Sequence, residues 1–158
     1  MLDLGCGRGA VLLAAAKLLP KGRAIGVDIW RADQTDNSQE NTLRNAELEG
    51  FADRVEVRTA DITDLPFDDN SVDLVLSSLV VHNISDTAAR VLRPRGRLAL
   101  ADIWATRRHV RQLRDLGWTD ARRRGLGWRM WWGPGMGTHP ITATKPEWAA
   151  VCGTAGTD

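Results

Sequence analysis

The chain has 158 residues, enough for one domain with a single core. Hydrophobic residues make up 43% and charged residues 26%, as in ordinary soluble globular proteins, and no apolar run approaches the ~20 residues of a membrane span. The first residues lack the basic and apolar regions of a signal peptide. Two cysteines, Cys6 and Cys152, lie far apart and form no metal-ligand or redox spacing. These features predict a cytoplasmic protein.

The net charge of +1 hides a strong asymmetry along the chain. Residues 28–73 contain 13 acidic and 4 basic residues, whereas residues 90–129 contain 12 arginines and 3 acids. An arginine-rich segment can bind an anionic or nucleic-acid partner, or it can be a solvated face. Charge alone leaves both interpretations open.

Short apolar runs alternate along the chain with segments that have helical spacing, cap residues and glycine stops. In order, the predicted elements are a strand in "MLDL", a helix over 9–19, a strand "RAIGVDIW" ending near Asp28, a helix within 36–50, a strand "RVEVRTAD" ending at Asp61, a strand "VDLVLSSLVV", a short helix "TAARVL" before Pro94, a strand "GRLALADIW", a helix "RRHVRQLRDLG", the extended "WTDARRRG" and a strand "THPITATKP".

This alternation predicts an α/β fold with a Rossmann-like open sheet, mostly parallel, and helices on both faces. No helix separates the last two predicted strands, so an antiparallel hairpin should form one edge of the sheet. Residues 1–146 are predicted to form one domain, and residues 147–158 a flexible tail.

A glycine-rich turn follows the first predicted strand, in the stretch "MLDLGCGRGA". Gly5, Gly7 and Gly9 remove side chains where the chain turns and where a ligand would touch the backbone. The helix that follows presents N–H groups to an anion. Ligands of open parallel sheets bind beyond the carboxyl ends of strands where the strand order reverses, and this loop is expected to lie there. It is therefore predicted to bind a carboxylate or a phosphate.

The glycine loop fits two classes of ligand. Gly5, Gly7 and Ala10 satisfy the dinucleotide pattern G-x-G-x-x-G/A. Asp28 follows at about the distance of a residue that holds a ribose. Asp3 favours the second class, because a carboxylate beside a pyrophosphate costs free energy, whereas a carboxylate beside an ammonium is stabilised. The pattern favours an adenosine ligand whose other end carries both an amine and an acid.

Four segments of the sequence, in order, resemble the class I S-adenosylmethionine-dependent methyltransferases. They are "LDLGCGRG", "GVDI", "TADITDLPFDDNSVDLVLSSLVVHN" and "RVLRPRGRLALADIW". The resemblance is strong over residues 2–104 and continues weakly to residue 146. It implies a small-molecule methyltransferase whose cofactor is S-adenosylmethionine.

The resemblance also implies, position by position, which residues bind the cofactor. Asp28 would accept from both ribose hydroxyls, and Asp61 from the adenine amino group. Ile29 would cover one face of the adenine, and Ser77 would lie close to the sulfonium. The implied cofactor-binding residues are Asp3, Gly5, Cys6, Gly7, Gly9, Asp28, Ile29, Asp61, Ile62 and Ser77.

His82, five residues after Ser77, is the candidate catalytic base, because imidazole ordinarily titrates near neutrality and an acceptor oxygen or nitrogen must lose a proton. A loop histidine with no catalytic role is the alternative.

A cluster of tryptophans, Trp128, Trp131 and Trp132, fits the wall of an apolar acceptor pocket or the packing under a hairpin equally well.

The nature of the acceptor is narrowed by what the sequence lacks. Arsenite methylation calls for several thiols, and two distant cysteines argue against it. Nucleic acid is disfavoured, because "SSLV" stands where an Asn/Asp-Pro-Pro-aromatic tetrapeptide would follow strand four. A small molecule is the expected partner, and a homodimer is a further hypothesis.

The sequence also departs from the family pattern. The resemblance implies helical segments before strand one, whereas one residue precedes Leu2 in this sequence, and the stretch after strand four is shorter than the resemblance implies. Arg95 replaces a glycine of the turn before strand five, where a positive φ would strain an arginine. These departures lead to a rival hypothesis, a non-catalytic cofactor-binding or interaction module. A nucleotide oxidoreductase is a third hypothesis, which Asp3 disfavours.

Overall fold

The computed structural model describes residues 1–31, 37–79, 84–126 and 137–147. These residues form one mixed sheet with helices on both faces. The strands are β1 (Leu2–Leu4), β2 (Ala24–Asp28), β3 (Val55–Thr59), β4 (Val72–Ser78), β5 (Leu92–Asp102), β6 (Thr119–Arg123) and β7 (His139–Thr144). The helices are α1 (Ala10–Leu18), α2 (Gln39–Leu48), α3 (Ile84–Val91) and α4 (Thr106–Asp115).

The strand order is β3-β2-β1-β4-β5-β7-β6. The pairs among β1 to β5 are parallel, whereas β7 is antiparallel to both β5 and β6. This arrangement confirms the predicted Rossmann-like sheet with an antiparallel edge hairpin. The order reverses between β1 and β4, so the loop after β1 lies at the switch point where such sheets bind ligands.

Two apolar clusters hold the helices on the sheet. Leu2 and Leu4 of β1 belong to the larger cluster, which also contains residues of α3 and α4. Leu12 and Ala16 of α1 belong to the second cluster, on the opposite face. No helix in the described part of the chain is long and apolar enough to cross a membrane.

Strand β5 begins earlier than the sequence predicts. The expected strand starts at Gly96, but β5 starts at Leu92 and runs through Pro94. The pairing of β4 with β5 shifts register between Val72 and Leu74, and such a bulge tolerates the missing proline N–H. Helix α3 is correspondingly displaced: it covers Ile84–Val91, whereas the prediction places it over 87–92.

Arg95 has a φ of 63°, which confirms the strain predicted from its sequence position. Its guanidinium contacts Glu147 at 3.0 Å, but both side chains are largely exposed, so this ion pair contributes little. Replacing Arg95 with glycine is expected to raise the free energy of unfolding by about 0.5–1 kcal/mol, because glycine adopts positive φ without a Cβ penalty. Urea unfolding measures this change.

The matched control is Arg93→Gly, two residues away in the same strand and without a positive φ. Glycine in a strand of ordinary conformation should lower the free energy of unfolding by about 0.5–1 kcal/mol. A loss of stability in both variants would contradict the strain at Arg95.

Candidate functional site

The loop after β1 folds tightly against the end of β2. The N–H groups of Gly5 and Cys6 both donate to the Val27 carbonyl, at 2.9 and 3.1 Å, and the Gly9 N–H donates to the Cys6 carbonyl at 2.8 Å. Gly5, Gly7 and Gly9 have φ values of 70°, 50° and 89°. Their alternation therefore has a local cause: each position requires a backbone conformation that a side chain would strain.

Asp28, the last residue of β2, holds this loop. One carboxylate oxygen accepts from the Gly7 N–H and the other from the Trp30 N–H, both at 2.9 Å. Each oxygen of a carboxylate has two acceptor sites, so both retain capacity for a ligand hydroxyl. The bonds also show that the N–H groups of Gly5, Cys6, Gly7 and Gly9 already have protein partners. These four loop amides are thus not free to bind an anion in this conformation, and the loop offers a ligand a backbone without side chains at its glycines.

A cleft of about 370 Å³ opens at the carboxyl ends of β1 to β4. Five of the residues predicted from sequence meet there: Gly5, Asp28, Ile29, Asp61 and Ile62. Ile29 is 42% exposed, so an apolar ligand surface can cover it. The cleft thus combines the Asp28 carboxylate, which two backbone amides hold in place, with the Asp61 carboxylate and two isoleucines.

Three further residues line the cleft that sequence reasoning did not select: Arg31, Ser78 and Leu79. The pKa of Asp61 is lowered mainly by hydrogen bonds from Thr63, and the positive charge of Arg31 adds a smaller contribution. Ser78 is the neighbour of the predicted Ser77, and a strand turns successive side chains to opposite faces. Only the placement of the strand decides which of the two serines meets the cleft.

Ser77 and Asp61 have clear local roles. Ser77 is buried, and its hydroxyl donates to the Leu4 carbonyl at 2.9 Å, which ties β4 to β1. Asp61 is exposed, two residues beyond the end of β3. Its Oδ1 accepts from the Thr63 N–H at 2.8 Å and the Thr63 hydroxyl at 2.7 Å, and these bonds lower the pKa of Asp61.

Asp3 is buried in the middle of β1, with 1% of its surface exposed. Leu2 and Leu4 face the larger apolar cluster, so Asp3 projects from the other face, toward α1. Neither carboxylate oxygen has a hydrogen-bond partner among the described residues. Asp3 does not line the cleft itself but lies two residues before Gly5, which does.

The burial of Asp3 raises its pKa from 3.8 to about 7. Loss of hydration is the main cause, the Leu12 amide partly offsets it, and the negative charge of Asp28 adds to it. Without a hydrogen bond of good geometry, the Leu12 amide stabilises the carboxylate only weakly. Asp3 is thus a carboxyl group that an incoming positive charge would ionise.

Cys6 is buried, and the loss of hydration together with the charges of Asp3 and Asp28 raises the pKa of its thiol far above the ordinary value. The thiol packs against β2 at Gly26, where an added Cβ would lie 2.7 Å from its sulfur. Cys6 is therefore a packing residue that stays protonated.

Replacing Gly26 with alanine is expected to lower the free energy of unfolding by about 1–3 kcal/mol, since the new methyl overlaps Cys6 and Leu12 in a packed core. Thermal and urea unfolding measure the loss. Gly125→Ala is the control, because its nearest contact would be an ordinary 3.9 Å. Equal stability of the two variants would show that the contact between α1 and β2 is loosely packed.

Several predicted features fall outside the described residues. His82 lies in 80–83, the tryptophans Trp128, Trp131 and Trp132 lie in 127–136, and Cys152 lies in 148–158. Within the described ranges, no group of three or more His, Cys, Asp or Glu side chains is placed to hold a metal ion.

Comparison with known proteins agrees with this geometry. The arsenite methyltransferase of Halobacterium salinarum is 38% identical over 113 residues, which are 67% of this chain and 27% of that protein. The 27-O-demethylrifamycin SV methyltransferase of Amycolatopsis mediterranei is 36% identical over 110 residues, which are 65% of this chain and 38% of that protein. The chain thus matches well under half the length of these curated relatives.

Solved structures share the fold at lower identity. A putative methyltransferase in complex with the Trm112 activator of Haloferax volcanii has a TM-score of 0.69 and 22% identity, covering 92% of this chain and 81% of that one. A geranyl diphosphate C-methyltransferase from Streptomyces coelicolor has a TM-score of 0.68 and 17% identity, covering 91% and 70%. Residues 2–100 match the family described as "Methyltransferase domain". The chain therefore belongs to the class I S-adenosylmethionine-dependent methyltransferase family.

Proposed function

We propose that the chain binds S-adenosylmethionine in the cleft and transfers its methyl group to a small-molecule acceptor. One observation carries the proposal. The ends of β1, β2 and β3 bring together, around one cleft, the glycine loop, the Asp28 carboxylate held by backbone hydrogen bonds, and two isoleucines. Family membership supports the same ligand. The activity of the whole protein is a proposal, because the relatives are much longer than the matched segment.

The adenosine end of the cofactor fits the described residues. The two carboxylate oxygens of Asp28 keep acceptor capacity for the ribose hydroxyls, while their bonds to the loop hold them in place. Ile29 and Ile62 supply apolar surface for the adenine, and Asp61 supplies an acceptor for its amino group. Carboxylates that accept from hydroxyls and amines form strong, charge-assisted bonds.

We assign the amino-acid end to the glycine loop and Asp3. Asp3 is the buried, unpartnered carboxylate beside this loop, so an ammonium near it would recover part of the lost hydration energy. Gly5, Gly7 and Gly9 let the ligand approach the backbone closely, and the packed Cys6 fixes the loop. A dinucleotide would instead bring a pyrophosphate next to the same carboxylate. Repulsion between these negative charges would weaken its binding.

When bound, the cofactor supplies an electrophilic methyl group on a sulfonium whose sulfur leaves neutral, so no acid is needed for its departure. The chain's own residues orient the two reactants and exclude water, and orientation alone can supply ~7–11 kcal/mol. Ser77 holds the end of β4 against β1, next to the cleft. We propose His82, five residues after Ser77 in the sequence, as the base for an acceptor that must lose a proton.

Small organic acceptors fit the described residues better than arsenite. Arsenic chemistry requires thiolates, and the Cys6 thiol is buried and held protonated by its surroundings. Nucleic acid stays disfavoured on the sequence after β4, and a homodimer stays a hypothesis.

Isothermal titration calorimetry with S-adenosylhomocysteine, S-adenosylmethionine and NAD⁺ tests the proposal. We expect both S-adenosyl ligands to bind and NAD⁺ to give no heat at the same concentration. S-adenosylhomocysteine release with a panel of phenols, carboxylates and amines then tests turnover. Tighter binding of NAD⁺ would overturn the ligand assignment, and binding without turnover on any acceptor would favour a non-catalytic module.

A further inference from the structure

The cleft lies at the carboxyl ends of β1 to β4. The same side of the sheet, called this edge below, also carries the end of β5, the start of β7 and the end of β6. Strand β7 is antiparallel to both neighbours, so its first residue lies at the edge where β5 and β6 end. Asp102 at the end of β5 is opposite His139, and Ser78 in the cleft is opposite Ala101. At about 4.8 Å between strands, His139 stands roughly 10 Å from the end of β4.

Arginines lie at the end of β6 and in the first turn of α4, next to this extension, and the Arg124 N–H donates to the Pro140 carbonyl at 2.9 Å. The Arg123 side chain at the end of β6 donates from Nε to the Thr106 hydroxyl at 2.8 Å, which joins it to the first turn of α4. Arg107, Arg108 and Arg124 follow these two anchored residues, and all three are exposed. We refer to Arg107, Arg108, Arg123 and Arg124 as the arginine rim.

The charge of the arginine rim is not balanced locally. Arg107, Arg108 and Arg124 form no ion pair with any residue in the described ranges. Asp102 is the acid at this edge, but it is buried, and its Oδ1 already accepts from the amides that follow it. The rim thus presents several guanidinium groups to a ligand, and guanidinium is suited to bidentate binding of carboxylate and phosphate.

His139 adds an unused polar atom at the same edge. Its Nδ1 is buried and has no hydrogen-bond partner in the described part of the chain. The ring lies between two glycines: a Cβ on Gly137 would be 3.5 Å from Cε1, and one on Gly125 would be 4.0 Å from Nε2. A buried nitrogen without a hydrogen-bond partner is unfavourable, and a hydrogen bond to a ligand would relieve that cost.

We infer that the arginine rim and His139 form the acceptor site, and that the acceptor carries a carboxylate or phosphate group. Arg107 and Arg124 bind the anion, and His139 hydrogen-bonds the acceptor and positions it toward the end of β4. This inference rests on the proposed function for the identity of the reaction. The anion site itself can be tested without turnover.

Three probes of similar size test the site: benzoate, phenyl phosphate and the neutral benzamide. Each is titrated into the protein saturated with S-adenosylhomocysteine, and the dissociation constant is read by NMR. We expect at least one anion to bind five-fold or more tightly than benzamide. We also expect the ratio to fall below two-fold in the Arg107→Gln/Arg124→Gln variant.

The matched control is Arg93→Gln/Arg95→Gln. It removes the same charge near the start of β5, at the opposite ends of the strands, and should leave the ratio unchanged. Equal binding of the three probes, or equal loss in both double variants, would overturn the inference. If S-adenosylhomocysteine does not bind, the proposed function fails. The probes are then titrated into the ligand-free protein, where the same preference is expected because the rim is independent of the cleft.

The place of His139 has its own readout. The Cε1–H resonance of His139, assigned with His139→Gln, should shift on addition of the tighter anion, whereas that of His109 within α4 should shift much less. Anion binding with no change at His139 would show that the imidazole is not part of the site.

Discussion

Asp3→Asn is expected to make the ligand-free protein more stable at pH 8 while weakening its binding of S-adenosylmethionine. In the wild-type protein the pKa of Asp3 is raised from 3.8 to about 7. That difference corresponds to roughly 4 kcal/mol, at 1.36 kcal/mol per unit. The asparagine is neutral at all pH values, so it avoids the cost of an ionised group in this environment.

The sign of the pH dependence follows from the raised pKa. The contribution of Asp3 to stability is fully present below pH 3.8 and is lost as the pH rises to about 7. The difference in the free energy of unfolding between Asp3→Asn and wild type should therefore be small at pH 4. It should increase to about 4 kcal/mol near pH 7 and stay constant above that. Urea unfolding at several pH values measures it.

Cofactor binding should show the opposite preference. An ammonium near Asp3 favours its ionised form, so binding to the wild-type protein should release a proton below pH 7 and strengthen as the pH rises to 7. Asp3→Asn should weaken binding at pH 8 by about 10- to 100-fold, as expected for a lost hydrogen bond to a charged group.

The control for both measurements is Asp64→Asn, because Asp64 is an exposed acid. Its free energy of unfolding should change by less than about 0.5 kcal/mol and its affinity by no more than about two-fold. If Asp3→Asn bound the cofactor with wild-type affinity, Asp3 would not be part of the binding site. A wild-type pH profile of stability in the same variant would show that its burial does not hold in solution.

Asp28→Ala is expected to reduce the affinity for S-adenosylhomocysteine by about 100-fold or more. It removes the acceptor for two ribose hydroxyls, and each such charge-assisted bond contributes about 1.5–3 kcal/mol. It also leaves the N–H groups of Gly7 and Trp30 without their acceptor, so the loop loses its anchor and the free energy of unfolding should fall by about 1–3 kcal/mol. Calorimetry measures the first effect, and urea unfolding the second.

Asp28→Asn is the milder variant of this side chain. Its amide oxygen can keep one bond to the loop, while its NH₂ group cannot accept the other, so both losses should be intermediate. Asp64→Ala is the charge control, an exposed acid three residues after Asp61, and it should bind as wild type does. A loss of stability in Asp28→Ala without a loss of affinity would mean that Asp28 serves only the loop.

The succession of strands and helices along the chain and the position of the cleft could be predicted because local signals agree there. Glycine, proline and alternating apolar residues mark the elements, and the end of a parallel strand is a fixed place in such a sheet. Asp28 and Asp61 could be selected for this reason. The resemblance to a known family sharpened the choice of ligand.

Other features depend on tertiary contacts that local patterns do not contain. The choice between Ser77 and Ser78 depends on which face of β4 meets the cleft. The start of β5 at Leu92 depends on a bulge against β4. The use of the loop amides depends on the Val27 carbonyl and the Asp28 carboxylate, which are more than twenty residues away in sequence.

The most direct measurement of the central claim is a crystal structure of the protein with S-adenosylhomocysteine. The account predicts the ribose on Asp28, the adenine against Ile29 and Ile62, and the amino group at the end of β1 next to Asp3 and Gly5. Density for the nucleoside at any other place, or an amino end directed away from β1, would contradict it.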